Sequence, residues 1–90
     1  MNNIKENMEN KLEQDKATIL GLLSRRPRGT YTDDVAELTG LRFDRVRILL
    51  HGLKEEGKVT AKEIAYEFLP VAIQGKVSTG MRRNLWKVAE

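Results

Sequence analysis

Ninety residues with no cysteine, one histidine and a net charge of +3, from 16 Lys and Arg against 13 Asp and Glu, exclude several classes at once. A chain of this length holds one domain and buries only about 60–65% of its unfolded surface, so the core is small. The missing cysteines rule out a disulfide framework and thiolate metal sites, and His51 alone makes no zinc site, so neither metal nor cofactor is expected. With 40% apolar residues and 32% charged residues of mixed sign, the chain is not disordered throughout.

The opening Met1–Asn7 lacks the apolar stretch of a signal peptide. The longest apolar runs, such as Ile48-Leu49-Leu50, fall far short of the roughly 20 residues of a membrane span. The expectation is a soluble, cytoplasmic domain with no membrane partner.

In chain order, Ile4, Met8 and Leu12 recur every fourth residue, which is helical spacing. Asn3 to Glu6 and Asn10 to Glu13 both have the form of a capping box, so the helix starts near residue 4 or near residue 11. Residues 1–10 are thus an N-terminal tail or a helical extension, and the domain proper covers 11–90. Leu12, Ala17, Ile19, Leu20 and Leu23 form the apolar face of this first helix. Pro27 and Gly29 break the chain after it. A short helix is expected from Thr32, with Thr32 as its cap, Asp33 and Asp34 at its positive end, and Val35 and Leu38 on one face. Gly40 stops it.

A longer helix follows, with Val46, Leu49, Leu50 and Leu53 sharing its inner face, and Gly57 ends it. Gly21 and Gly52 lie inside helices, either because two helices approach closely there or as tolerated defects. Val59 starts a strand. Residues 60–81 read either as a long hairpin with Lys58–Phe68 as one arm, which is favoured, or as containing a short helix from the Thr60–Glu63 capping box. Tyr66, Phe68, Val71, Ile73 and Val77 all suit strands. Asn84–Val88 alternates in polarity and closes the sheet, with Trp86 in the core or at the base of the hairpin.

The stretch Thr32–Val59 carries the functional information. A short helix, the turn Thr39-Gly40-Leu41 and a longer helix meet the demands of a helix-turn-helix, with Leu41 as the apolar plug after the glycine. In Val35-Ala36-Glu37-Leu38-Thr39-Gly40-Leu41, Val46, Leu50, Leu53 and Glu55-Glu56-Gly57-Lys58-Val59 the chain resembles the winged helix-turn-helix superfamily, in particular MarR-like and ArsR-like regulator domains. The resemblance implies an α+β fold with a three-helix core and a small antiparallel sheet and wing. Arg42 stands where such proteins usually place a Ser or Thr cap, and the segment between Val59 and Leu85 exceeds an ordinary wing.

With the apolar positions inward, the outer face of the longer helix holds Arg42, Phe43, Asp44, Arg45, Arg47, Ile48 and His51. The early residues of such a second helix face base edges in the major groove, where Arg pairs with guanine. Arg45 and Arg47 are the expected base readers, with Arg42 at the groove edge and His51 near phosphate. Phe43 can contact a thymine methyl, or either Phe43 or Ile48 tucks against the first helix or joins a protein interface. Asp44 reads as a helix-dipole residue.

Two basic clusters flank the helix: Arg25, Arg26 and Arg28 in the loop, and Lys76, Arg82, Arg83 and Lys87 in the hairpin. From Phe68 to Ala89 no acidic residue occurs. These cations suit backbone or minor-groove contacts.

The expected function is double-stranded DNA binding by a small transcriptional regulator, with on the order of four to seven phosphate contacts per protomer. The alternative is a winged-helix protein–protein interaction module within a larger assembly. A homodimer through the N-terminal helix is a further expectation. Enzymatic chemistry is not expected, because the chain offers no grouped nucleophile, base and phosphate loop.

Overall fold

The computed structural model describes the backbone of residues 4–90 and the side chains of residues 10–90. Among these the fold is α+β, with four α-helices and one three-stranded antiparallel sheet. The chain runs α1 (Ile4–Ser24), β1 (Thr30–Tyr31), α2 (Thr32–Thr39), α3 (Phe43–Glu55), β2 (Val59–Ala65), a 3-10 turn (Tyr66–Phe68), α4 (Val71–Gln74) and β3 (Arg82–Val88). β3 lies between β1 and β2, with Trp86 opposite both Thr30 and Ala61.

Helical periodicity places the core. Ile19, Leu22 and Leu23 of α1, Val35 of α2, and Val46, Leu49, Leu50 and Leu53 of α3 pack with Val59 and Trp86 of the sheet. Leu41 packs against this cluster from the α2–α3 turn, as the plug position requires. Gly40 makes that turn with φ +74°, a left-handed conformation in which glycine avoids a Cβ penalty. Gly29 has φ +98°, and a Cβ there would come within 2.7 Å of Leu85, so only glycine lets the α1–β1 loop close onto β3.

Several expectations are corrected. Thr32 does not cap α2. It lies inside the helix, Tyr31 takes the cap position without a side-chain bond, and the Thr32 hydroxyl accepts the Trp86 indole N–H at 2.8 Å. Trp86 is fully buried, and a buried indole N–H needs an acceptor more than a helix end needs a cap that water can replace. Leu38 does not share the inward face of Val35. It is exposed, and Ala36 packs against the core instead. Ala17 is likewise exposed on α1. Nothing lies within 4 Å of a Cβ built at Gly21 or Gly52, so no close helix approach explains them.

The hairpin forms, but its first arm stops at Ala65 rather than Phe68. Thr60–Glu63 pairs with β3 and does not start a helix. Tyr66, Phe68, Val71, Ile73 and Val77 are not strand residues. Pro70 supplies the cap of α4 with φ −56°, and Leu69 and Ile73 are buried, so compaction of the tip overrides β-propensity. The Gln74 amide donates to the Tyr66 carbonyl at 2.9 Å and closes the tip on itself.

The Asn3 capping box and the Ile4 and Met8 positions of the N-terminal stripe fall outside the described side chains; Leu12 is half-buried against the core. No helix among the described residues is long and apolar enough to cross a membrane.

Candidate functional site

The outer face of α3 and the tip-proximal half of the hairpin enclose a groove of about 410 Å³. α3 contributes Phe43, Arg47 and His51, one turn apart, because the inward stripe Val46–Leu50–Leu53 turns these positions outward. The hairpin contributes Glu63, Met81, Arg82, Arg83 and Asn84. The structure thus brings together Phe43, Arg47, His51, Arg82 and Arg83 from the expected set.

Their chemistry differs more than their charge suggests. The Arg83 Nε donates to Asp33 Oδ1 at 2.8 Å, with both side chains largely buried, and its guanidinium lies 5.2 Å from the Phe43 ring centroid. This one side chain ties the hairpin to the first turn of α2 and to the start of α3. Phe43 is therefore half-buried under a cation, not presented freely. Arg82 donates to Glu63 across the strand pair at 3.0 Å, in an exposed pair. The His51 ring meets Trp86 edge-on at 5.2 Å, which fixes its orientation on the groove wall. Arg47 is exposed and has no ion-pair partner among the described residues.

The other expected residues lie elsewhere. Arg45 faces α1, where its Nε donates to Asp15 Oδ2 at 2.7 Å. Asp15 is buried, so Arg45 fastens α3 to α1. Arg42 and Ile48 line a separate hollow of about 370 Å³ with Leu12, Asp44, Arg45 and Leu49. Arg42 is the cap residue of α3 with no side-chain cap bond, and Ile48 is 66% exposed. Lys76 reaches across to α2, donating to Glu37 at 2.9 Å with Asp34 at 3.9 Å. The hydrogen bond to Glu37, foremost, holds the Lys76 ammonium above its usual pKa.

Arg26 and Arg28 do not join the groove. Their loop enters β1 at Thr30, opposite Trp86, and it shares a hollow with the far end of β3, away from Arg82 and Arg83.

Asp15, Asp33 and Asn84 belong to the site or its supports, yet spacing gave no reason to place them there. Asp15 and Arg45 are 30 positions apart and Asp33 and Arg83 are 50 apart, so only the tertiary fold makes them partners. Among the described residues no group of three or more His, Asp or Glu side chains could hold a metal ion. No protein-family model matches the chain, and no curated protein sequence matches it.

Proposed function

We propose that the chain is a double-stranded DNA-binding domain of the winged helix-turn-helix type, acting as a small transcriptional regulator. The N-terminal half of α3 enters the major groove, and the β2–β3 hairpin lies along the backbone or minor groove. The observation that supports this reading is Arg47: a guanidinium without an ion-pair partner among the described residues, on the outer face of α3, in a groove whose opposite wall carries Glu63, Arg82, Arg83 and Asn84. Arg can form a bidentate pair with guanine O6 and N7, and flanking cations can hold the phosphates. Arg45 and Arg83 act in this reading as positioning residues, since each is tied to a largely buried carboxylate, whereas the exposed pair of Arg82 with Glu63 can open to a phosphate.

Fluorescence anisotropy on duplex DNA at two salt concentrations tests the proposal. Binding is expected to weaken with log K falling by about 0.9 per phosphate neutralised. No binding at micromolar protein and low salt refutes it. A homodimer through α1 belongs to the same proposal, and a sedimentation mass of one protomer at tens of micromolar refutes that part.

A second reading, a protein-interaction module, is favoured by one observation. Ile48 is two-thirds exposed on α3 beside Leu12, so the outer face is partly apolar. Arg47→Ala and Ile48→Ser separate the two. Loss of duplex binding in the first variant alone supports DNA reading. Loss of a protein complex in the second variant alone supports the module.

A further inference from the structure

Five of the ten cations without an ion-pair partner among the described residues lie at the end of the sheet opposite the groove. Arg25, Arg26 and Arg28 lie in the α1–β1 loop, Lys58 in the turn entering β2, and Lys87 near the end of β3. All five are exposed, and among the described residues none is ion-paired. Pairing brings their segments together. Thr30 is opposite Trp86, the Ala89 N–H donates to the Lys58 carbonyl at 3.0 Å, and Pro27 shares a hollow with Lys87–Glu90. In the segments 25–29, 57–59 and 87–90 these five cations meet one carboxylate, Glu90, with exposed Glu55 and Glu56 just before Gly57, the latter paired with Lys16 of α1.

Distance separates this base from the groove. β3 spans about 20 Å from Arg82 to Val88 at roughly 3.3 Å per residue. α3 spans about 20 Å from Phe43 to Glu55, and Lys58 follows its far end. A duplex seated at the first turns of α3 therefore has the base about 20 Å away, at the other end of the sheet. Three guanidiniums on a loop offer forked donors that match phosphate oxygens, and no helix carries them into a groove to read base edges.

We infer that the base of the sheet is a second, sequence-independent nucleic-acid contact, so that one protomer holds two duplex segments at once. The inference rests on the proposed duplex binding at the groove. The base contributes charge only, so its grip is steep in salt and indifferent to sequence. The Gly29 turn, locked against Leu85, holds the loop arginines in place beside β3.

Two measurements on the full chain test it, at about 50 mM salt, with random-sequence duplexes of about 20 base pairs. Anisotropy reads binding to one labelled duplex. Energy transfer between a donor-labelled and an acceptor-labelled duplex reads bridging. The wild-type chain is expected to give transfer. The R25S/R26S/R28S triple variant, checked by circular dichroism, is expected to lose transfer by at least about tenfold while its single-duplex affinity changes less than about threefold.

Single-duplex binding without transfer in the wild type overturns the inference and leaves the DNA reading standing. No single-duplex binding overturns both. Transfer that survives in the triple variant overturns the inference in favour of bridging by a dimer. Equal losses of affinity and transfer overturn it in favour of one duplex gripped by both ends.

Discussion

The two ends of the sheet carry similar numbers of basic residues but use them differently. At the groove, Arg83 and Arg82 are spent on Asp33 and Glu63, and Arg45 behind α3 is spent on Asp15. At the base, five exposed cations have no ion-pair partner among the described residues. A paired guanidinium fixes geometry and contributes little field; an unpaired one contributes field and fixes nothing. The groove is therefore built for position, with Arg47 as its free charge, and the base is built for attraction. A count of Lys and Arg along the chain does not distinguish these uses.

The largest expected effect tests whether the groove pairs really hold the fold. Arg83→Met leaves the largely buried Asp33 carboxylate without its partner and removes the cation above Phe43. A loss of about 2–4 kcal/mol in unfolding free energy is expected from stranding such a charge. Arg26→Met and Arg28→Met at the base should each stay within about 0.5 kcal/mol. Denaturant unfolding of the three variants, with Asp33→Asn completing a double-mutant cycle, reads the contrast directly. A coupling near zero would make the two ends equivalent and erase the distinction.

Next in size is Gly29→Ala, which attacks the base through its backbone. Alanine must adopt φ +98° and place its Cβ against Leu85 at 2.7 Å. About 1–3 kcal/mol of destabilisation is expected, from strain at a left-handed position and from displacement of Leu85. Gly40→Ala has the same backbone problem with nothing within 4 Å of the Cβ, so it should cost less. The difference between the two thermal shifts isolates the packing part.

What could be read in advance follows the range of the forces involved. α3 and its inward stripe, the Gly40 turn and the Leu41 plug depend on neighbours within a few residues, and the sequence pattern carries them. The burial of Trp86 depends on alternation in a short strand and was also legible. Thr32 escapes local pattern because its role as a cap loses to a distant indole. The tip escapes it too, because β-propensity describes a pleated surface, whereas Leu69 and Ile73 are buried in a compact turn around Pro70. At the candidate site, the outward position of Arg47 was legible from periodicity. The engagement of Arg45, Arg82, Arg83 and Lys76 was not, since each partner sits on another element.

Arg47→Ala probes the free charge of the groove. It should leave stability within about 0.5 kcal/mol, because the side chain is exposed and unpaired. Duplex affinity should fall by about 1–3 kcal/mol, the range for one bidentate base contact, and the loss should persist at higher salt. In the proposed reading a variant at the base changes single-duplex affinity only slightly and through field alone, so that small deficit should shrink as salt rises. Anisotropy titrations at about 50 and 200 mM salt separate the two behaviours. An Arg47→Ala deficit that also shrinks would mean that both ends act through field, and the division of labour would fail.

The smallest effect is expected at Lys76, where the hairpin tip meets α2. Its pKa is raised in the fold, chiefly by the hydrogen bond to Glu37, so the folded state holds the proton more tightly than the unfolded chain. The contact therefore contributes its full stability below the ordinary lysine pKa and loses it as pH rises through the raised value. Lys76→Met should lower the melting temperature slightly and equally across neutral pH, and the difference should vanish in strongly alkaline buffer. Because the ammonium is exposed, about 1 M salt should erase most of the difference even at neutral pH. A large, salt-resistant drop would place Lys76 with Arg83 among the pairs that hold the fold. The tip would then be pinned by charge and not by the burial of Leu69 and Ile73.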